Sequence, residues 1–224
     1  MDVDSGLLRL AYCSHLPLEV IAKTMPKLYY TTTSCGAASY LALTIGGVKF
    51  DSEVVDIRAG TCEDGSDFEA VSWKGSVPAL VLDDNVLLSE NVATLIWASD
   101  NAVKKWGPTP GTTEHYQMID HLAYVNSTIH RSFGPLFYPG SEEAKQEARA
   151  KLVQNLEWCF KFIVKDKKFL GTRFTVADIY LFITLTWAGY VGVTLPAVAV
   201  EYLEAIKAID GVGSTYAAIN TPKA

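Results

Sequence analysis

The chain lacks any block of basic residues. Its 224 residues include 19 Lys and Arg against 25 Asp and Glu, which leaves a formal charge of −6. Nucleic-acid binding needs clustered positive side chains that release counterions from the phosphates, so the composition argues against that class of protein. No apolar run reaches the roughly 20 residues that a membrane-spanning helix requires. We therefore expect no nucleic-acid partner and no membrane association.

Cysteine is scarce and scattered along the chain. The four cysteines are Cys13, Cys35, Cys62 and Cys159. They form no C-x-x-C pair, no Cys/His spacing typical of metal binding and no dense framework of the kind that cross-links small secreted domains. The sequence therefore predicts no metal site and a reduced, cytoplasmic setting.

The first 25 residues lack the basic start of a signal peptide. Their apolar run follows Asp2 and Asp4, and Glu19 interrupts it. We interpret residues 1–25 as an N-terminal extension, packed as a short helix or partly disordered, on a domain that begins near Pro26.

Residues 26–105 show alternating strand and helix patterns. The aromatic run "KLYYT" at 27–31 predicts a strand, and "SCGAASYLALTIGG" at 34–47 predicts a helix with Ser34 as a candidate N-cap. The further patterns are a strand at 49–57, an acidic helical piece near 63–71, a hairpin of strands at 77–82 and 86–88, and a helix with a Ser cap at 89–101. The resulting order is β-α-β-α-β-β-α.

Beyond this region the periodicity is helical. The most Pro- and Gly-rich stretch of the chain lies between the two halves, so we place a linker at 106–112 and an all-helical domain at 113–224. In "FTVADIYLF", Thr175 and Asp178 have the spacing of a capping box, with Asp in place of the usual Glu. The sequence therefore predicts two domains, of which only the first contains strands.

This layout resembles that of the soluble glutathione transferases. Four segments carry the likeness, in the same order along the chain: "KLYYTTTSC", "WKGSVPALVLDDNVLLSENVA", "IHRSFGPLF" and "FTVADIYLF". They are most similar to the bacterial beta class, and the resemblance covers roughly Lys27 to Gly213. It implies an α/β thioredoxin-like N-terminal domain followed by an all-α C-terminal domain. It also implies a cytoplasmic homodimer that conjugates glutathione, its co-substrate, to small hydrophobic electrophiles in detoxification, with no cofactor.

Cys35 lies where the first predicted strand gives way to a helix. Backbone N–H groups and the dipole at a helix N-terminus favour an anion, so we expect a lowered pKa and a partial thiolate. The alternative for any lone cysteine is a small buried apolar residue. In the beta class the matching cysteine contacts the sulfur of glutathione and can form a mixed disulfide with it, which implies a catalytic Cys35. The hydroxyls of Tyr30, Thr32 and Thr33 stay open as rivals that stabilise the glutathione thiolate, and Tyr30 is a candidate glutathione-binding residue.

The resemblance places glutathione against two further segments of the first domain. Val77 precedes Pro78, whose peptide bond is cis in the family, and the backbone of Val77 would pair with the cysteinyl part of glutathione. The backbone N–H groups of Ser89, Glu90 and Asn91 open a helix and can hold the γ-glutamyl carboxylate, and the Glu90 carboxylate can meet the ammonium group. Without the resemblance, the same residues are a proline at a strand start and an ordinary helix cap.

The second domain supplies the remaining candidates. The resemblance places His130 beside the glutathione sulfur, followed by a basic residue, here Arg131. His130 can donate to the thiolate or relay its proton, and Arg131 can hold a carboxylate. Without the resemblance, His130 is a surface histidine or a core histidine. Tyr138, Phe133 and Trp187 are candidates for the wall of the electrophile cleft, but for Trp187 a place in the core is the favoured interpretation.

The chain also departs from the family pattern. Thr31 to Ser34 replace the usual loop before the cysteine, Gly36 follows the cysteine, Gly60 replaces a frequent lysine, and Ala123 replaces an asparagine. These changes remove candidate partners of glutathione. Two alternatives to a transferase therefore stay open. One is a thiol–disulfide oxidoreductase that uses Cys35 with glutathione as the second thiol, and the other is a non-catalytic binding or regulatory module.

Overall fold

The computed structural model of the protein describes residues 25–165 and 168–221. The predicted extension, including Cys13, lies outside these ranges except for Met25. In the first half the described strands and helices are β1 Lys27–Tyr30, α1 Gly36–Gly46, β2 Asp51–Asp56, β3 Thr61–Cys62, β4 Ala79–Val81, β5 Leu87–Leu88 and α2 Asn91–Asp100.

The strands of the first half form one mixed sheet in the order β3-β2-β1-β4-β5. Central β1 runs parallel to β2 and antiparallel to β4, so Leu28 lies opposite Ser52 on one side and Leu80 on the other. This is the predicted thioredoxin-like domain. β3 is an addition to the predicted order, and the acidic piece near 63–71 contains only a short 3₁₀ turn, Phe68–Ala70.

The second half is helical, as predicted. Its described helices are α3 Thr113–Tyr124, α4 Arg131–Phe137, α5 Glu142–Trp158, α6 Val176–Thr186, α7 Ala197–Lys207 and α8 Val212–Asn220. A π-helical turn, Val125–His130, joins α3 to α4. One short hairpin, β6 Val164–Lys165 with β7 Phe169–Leu170, is not predicted, because two-residue strands leave no periodic pattern in the sequence. Residues 101–112 contain neither helix nor strand, and the exact limits of the two domains stay a prediction.

Helix α1 lies at the centre of the molecule. Nine of its eleven residues are buried, because its Ala- and Leu-rich sequence has no polar face. It contacts α2 in its own half and both α6 and α8 in the other half. It ends at Gly47, whose φ of +71° lies in the left-handed region that glycine adopts without steric cost. Both halves of the chain therefore share one hydrophobic core around this helix.

The helix starts differ from the predictions in detail. The N-cap residue of α1 is Cys35 rather than Ser34, and the N-cap residue of α2 is Glu90 rather than Ser89. Neither N-cap side chain makes a capping hydrogen bond. The predicted capping box at the start of α6 is confirmed.

That capping box belongs to a larger group, the Asp178 cluster, formed by Asp178, Thr175, Tyr202 and the backbone of Leu170. The carboxylate is fully buried, and its Oδ1 accepts from the Leu170 N–H and from the Tyr202 hydroxyl, both at 2.7 Å. Its Oδ2 accepts from the Thr175 N–H at 2.8 Å. Burial raises the pKa of Asp178 to about 7, and these donors act in the opposite direction. The cluster ties α6 to α7 and β7.

The described residues also bear on membrane and metal binding. Over residues 25–165 and 168–221, no helix has both the length and the apolar character that crossing a membrane requires. The same ranges contain no group of three or more His, Cys, Asp or Glu side chains arranged to hold a metal ion. Cys35, Cys62 and Cys159 are free thiols.

Candidate active site

The turn between β1 and α1 is held by its own hydroxyl groups. Thr31 Oγ1 donates to the Val55 carbonyl at 2.6 Å, and Ser34 Oγ donates to the Thr31 carbonyl at 2.9 Å. Ser34 Oγ also accepts the Gly36 N–H at 3.1 Å. The polar loop that departs from the family pattern is therefore braced internally, and it presents the thiol of Cys35 from a fixed position.

The Cys35 thiol is neutral in this structure. The side chain keeps part of its surface exposed but is densely surrounded by protein, and burial raises its pKa to about 12. The backbone N–H groups of Cys35 and Gly36 act in the opposite direction. The predicted lowering of the pKa is therefore wrong for the protein without a ligand, because desolvation outweighs the helix terminus. The Sγ donates a hydrogen bond to the Val77 carbonyl at 3.5 Å.

The segment before β4 adjoins this thiol. The Val77–Pro78 peptide bond is cis, as the resemblance implies. Val77 is half-buried and Pro78 is buried. The contact between the Cys35 thiol and the Val77 carbonyl joins two predicted site segments that are 42 positions apart in the sequence.

The start of α2 combines a helix N-terminus with an exposed carboxylate. Glu90 is exposed and forms an ion pair with Lys74, and half-buried Ser89 precedes it. An ammonium group therefore already contacts the carboxylate that the resemblance assigns to the glutathione amine. Lys74 adjoins the candidate site, and sequence reasoning missed it because only the folded chain brings it to Glu90.

Asn91, the first residue of α2, has an incomplete set of hydrogen bonds. Its Oδ1 accepts from Ser39 Oγ at 2.9 Å, and that hydroxyl also lies 2.7 Å from Thr94 Oγ1. The side chain is 6% exposed, yet its Nδ2 has no hydrogen-bond partner. Because buried N–H groups are nearly always paired, this one indicates a place that a ligand or water fills.

Three side chains of the second half form a hydrogen-bonded chain, the Tyr180 cluster, which consists of Tyr180, His130 and Asn126. His130 Nδ1 lies 2.6 Å from the Tyr180 hydroxyl, which lies 2.9 Å from Asn126 Oδ1. The His130 ring also packs at a steep angle against Trp187, with ring centres 4.9 Å apart. Burial lowers the pKa of His130, so its imidazole is neutral at pH 7. Neighbouring Arg131 is exposed at the start of α4.

The Tyr180 cluster reaches the site of the first half. Burial is the main cause that raises the pKa of Tyr180; Cys35, once ionised at high pH, and the Glu90 carboxylate add to it. The Asn91 amide acts in the opposite direction, because its N–H group lies near the Tyr180 hydroxyl without forming a hydrogen bond of normal geometry. The structure therefore brings together Cys35, His130, Glu90 and Asn91 around Tyr180, which lies in a quoted segment but was not predicted as a site residue.

Tyr30 is not brought to this group. Its ring stacks on Tyr40, with ring centres 4.7 Å apart, and burial raises the pKa of its hydroxyl to about 12. With Thr32 it lines a separate cavity of about 530 Å³ between β2 and the end of α8. Neither Cys35 nor Glu90 lines that cavity.

The candidate wall residues divide into two kinds. Phe133 and Trp187 are buried and meet at a right angle, with ring centres 5.5 Å apart, so the favoured core interpretation of Trp187 is confirmed. Tyr138 is 71% exposed, and Phe137, which sequence reasoning missed, is 50% exposed and packs on Trp187. Phe137 and Tyr138 therefore form an exposed aromatic edge, which adjoins the Trp187 ring that packs against His130.

A thioredoxin-like domain with a cysteine at the start of its first helix, followed by a helical half that contributes a neutral histidine, defines a class of thiol-handling enzyme. Sequence comparison gives the same class. The chain is 37% identical over 164 residues to glutathione S-transferase GstA of Escherichia coli O157:H7, covering 72% of this chain and 82% of that protein. It is 31% identical over 179 residues to glutathione S-transferase GST-4.5 of Xanthomonas campestris, covering 75% of this chain and 85% of that protein. No protein-family model matches the sequence.

Solved structures agree with the sequence relatives. A sphingomonad glutathione S-transferase in complex with glutathione superimposes with a TM-score of 0.81 at 32% identity, covering 88% of this chain and all of that chain. A bacterial beta class enzyme from Sphingomonas chungbukensis gives 0.80 at 35% identity, covering 87% of this chain and 98% of that chain. The chain belongs to the glutathione S-transferase family, and it is a transferase.

Proposed function

We propose that this glutathione transferase binds glutathione along the β1–α1 turn, the segment before β4 and the start of α2. In this proposal the sulfur lies beside Cys35 and His130. The observation that carries the proposal is the neutral Cys35 thiol, which already donates a hydrogen bond to the backbone carbonyl of Val77. A protonated thiol can donate equally to a glutathione thiolate, and a buried donor stabilises that anion more strongly than water does.

The same placement determines which residues bind the cysteinyl and γ-glutamyl parts of glutathione. The cysteinyl part pairs with the Val77 backbone next to Pro78, and the γ-glutamyl carboxylate lies on the N–H groups that open α2. Glu90 binds the γ-glutamyl ammonium in exchange for the Lys74 ammonium, an exchange supported by their present ion pair. Ser89 and Asn91 complete this end, and the unpartnered Asn91 amide supports a polar ligand atom there. Arg131 contributes positive charge for a carboxylate.

The electrophile is a small hydrophobic molecule. It lies against the exposed edge of Phe137 and Tyr138, near enough to His130 for that residue to take the proton of the glutathione thiol. His130 suits this role because burial keeps its imidazole neutral and able to accept a proton. We further propose a cytoplasmic homodimer. The three described free cysteines fit a reducing compartment.

The decisive experiment separates conjugation from disulfide exchange. We would measure conjugation of glutathione to an activated aryl halide and reduction of a mixed glutathione disulfide, for the wild type, Cys35→Ser and Cys35→Ala. The serine hydroxyl still donates a hydrogen bond, so Cys35→Ser retains most of the conjugation rate, and Cys35→Ala loses about tenfold. Cys62→Ser is the matched control, because Cys62 is a free cysteine of the same domain outside the site. Conjugation no faster than the uncatalysed reaction would refute the proposal.

The alternative of a thiol–disulfide oxidoreductase needs Cys35 itself as a nucleophilic thiolate. A pKa raised to about 12 works against that need, since the thiolate is the reacting species. Disulfide reduction that disappears in Cys35→Ser, with conjugation unchanged, would favour this alternative. A non-catalytic module is the other alternative, and failure of a glutathione-affinity matrix to retain the protein would favour it.

A further inference from the structure

Tyr180 is fully buried on α6, yet its hydroxyl takes part in a chain of polar contacts. Its ring packs at 81° to the His130 ring, with centres 5.8 Å apart. The hydroxyl contacts His130 Nδ1 at 2.6 Å and Asn126 Oδ1 at 2.9 Å. A tyrosine that served only to fill the core would not need these contacts, because phenylalanine fills nearly the same volume.

The protons along this chain fix the state of the imidazole. A tyrosine hydroxyl has one proton to donate, and an amide oxygen such as Asn126 Oδ1 can only accept. Tyr180 therefore donates to Asn126 and accepts from His130, so the proton of the neutral imidazole lies on Nδ1. The lone pair then lies on Nε2, for which no described residue supplies a hydrogen bond.

We propose that Tyr180 is a positioning residue that holds His130 in the tautomer with its proton on Nδ1, so that Nε2 takes the proton of the bound thiol. The inference rests on the proposed function for the role of that proton transfer. The tautomer itself follows from contacts present without any ligand. Asn126 acts behind Tyr180, because it fixes the direction of the tyrosine O–H bond.

The proton transfer is balanced within the site. The S–H bond of glutathione breaks, its electron pair stays on the sulfur, and the proton forms a bond to His130 Nε2. The imidazolium then carries protons on both nitrogens, and its Nδ1–H makes a charge-assisted hydrogen bond to the Tyr180 oxygen. When the thiolate has displaced the leaving group from the electrophile, the Nε2 proton passes to water and the imidazole becomes neutral again.

The groups that face the cluster are few. From the first half, the Glu90 carboxylate is close enough for its charge to act on Tyr180, and the neutral Cys35 thiol and the Asn91 amide lie near it. From the second half, the Trp187 ring covers one side of His130, and Arg131 points to solvent. Only burial shifts the pKa of His130. The hydrogen bond to Tyr180 is therefore the specific contact that distinguishes its two nitrogens.

The first test is a direct observation of the tautomer. We would record long-range proton–nitrogen NMR correlations of the imidazole rings in the unliganded protein, which has four histidines, and assign His130 by its loss in His130→Asn. The wild type is expected to carry the proton on Nδ1, and Tyr180→Phe is expected to move the equilibrium toward Nε2–H. Tyr202→Phe is the matched control, because it also removes a buried tyrosine hydroxyl from the helical half but one that contacts Asp178. An unchanged His130 tautomer in Tyr180→Phe overturns the inference.

The second test is kinetic. In Tyr180→Phe we expect kcat to fall about tenfold with KM for glutathione changed less than about twofold, because only proton transfer is impaired. Loss of an acceptor for Nδ1–H destabilises the imidazolium, so the acidic limb of the kcat profile moves to lower pH. In a His130→Asn background the same change should have no effect on kcat. An equal loss in both backgrounds overturns the inference, whereas an unchanged rate in His130→Asn alone refutes the proposed role of His130 in the function.

Discussion

Helix α6 carries two buried polar groups within three residues, and they differ in one respect. In the Asp178 cluster, both carboxylate oxygens accept hydrogen bonds from neighbouring donors. In the Tyr180 cluster, the chain of bonds ends at His130, whose Nε2 has no described partner. Beside it, Asn91 Nδ2 is buried and unpaired.

The difference separates a structural cluster from a functional one. A buried polar group whose bonds are all made within the protein stabilises one arrangement of the chain and has no capacity left for a ligand. A buried group with an unused donor or acceptor is costly to the free protein, and that cost is recovered when a ligand of matching polarity binds. The same helix therefore fixes the fold through Asp178 and faces the candidate site through Tyr180, which lies two residues later and on nearly the opposite side of the helix.

The largest expected effect is on the Asp178 cluster. Asp178→Ala leaves four buried donors without this acceptor, namely the N–H groups of Leu170 and Thr175 and the hydroxyls of Thr175 and Tyr202. It should therefore lower the free energy of unfolding by about 3–5 kcal/mol. Because burial raises the pKa of Asp178 in the folded protein from its usual value of 3.8 to about 7, stability from this group is greatest below pH 3.8 and declines as pH rises from there to about 7. The loss caused by the substitution should decline in the same window. Urea unfolding at several pH values checks this, with Thr175→Ser as the control that keeps the capping hydroxyl.

A second prediction compares two thiols. Burial raises the pKa of both Cys35 and Cys159 to about 12, but only Cys35 keeps exposed surface. At pH 7 Cys35 should therefore be alkylated about a thousandfold more slowly than a free thiol of ordinary pKa, with a rate that rises tenfold per pH unit beyond pH 9. Cys159 should react only on unfolding. Mass spectrometry after timed alkylation follows each cysteine, and a Cys35 rate that levels off near pH 8 would contradict the raised pKa.

The third prediction is a substitution that lowers activity while leaving stability nearly unchanged. His130→Asn removes the proton acceptor while keeping a donor for Tyr180, so kcat should fall about a hundredfold and KM for glutathione should change little. The free energy of unfolding should change by less than about 1 kcal/mol, because no buried group loses its partner. Steady-state kinetics and urea unfolding on the same preparation check both parts. A large loss of stability would place His130 with the structural cluster instead.

The smallest expected effect lies at the start of α2. Asn91→Ala removes the unpaired amide and leaves Ser39 bonded to Thr94, so stability should be nearly unchanged. Affinity for glutathione should fall about fivefold, the loss expected for one hydrogen bond to a neutral polar atom of the ligand, worth about 1 kcal/mol. Calorimetric titration with glutathione measures it, and Thr94→Ser serves as the control. Unaltered affinity would mean that the Asn91 amide faces water alone.

The sequence carried much of this architecture in local signals. The strand and helix of residues 27–47, the hairpin and the capping box at Thr175 are each specified by neighbours in the chain, and each is present in the fold. The two-residue strands β3 and β6 were beyond such reasoning. Their pairing depends on segments already folded beside them rather than on their own pattern.

The site was predictable in part for the same reason. Cys35 was found because it begins a helix, a position readable from sequence, whereas Glu90 was found through the resemblance to the family, since a helix start alone indicates only an ordinary cap. Lys74, Tyr180 and Asn126 were missed, because their contacts join positions far apart in the chain; Tyr180 and Asn126 are separated by 54 positions. The direction in which the pKa of Cys35 shifts was also missed. It depends on how densely other segments cover the thiol, which no local pattern records.

The near-complete burial of α1, in which nine of eleven residues are buried, has a consequence for how the protein tolerates substitution. The helix that carries the site cysteine is also the core element that α2, α6 and α8 share. A substitution along it disturbs the packing of both halves together. Exchanging either half for that of a distant relative would remove the side chains that bury the helix. We therefore expect substitutions along α1 to lower the stability of both halves, and substitutions of exposed Phe137 or Tyr138 to leave the core intact.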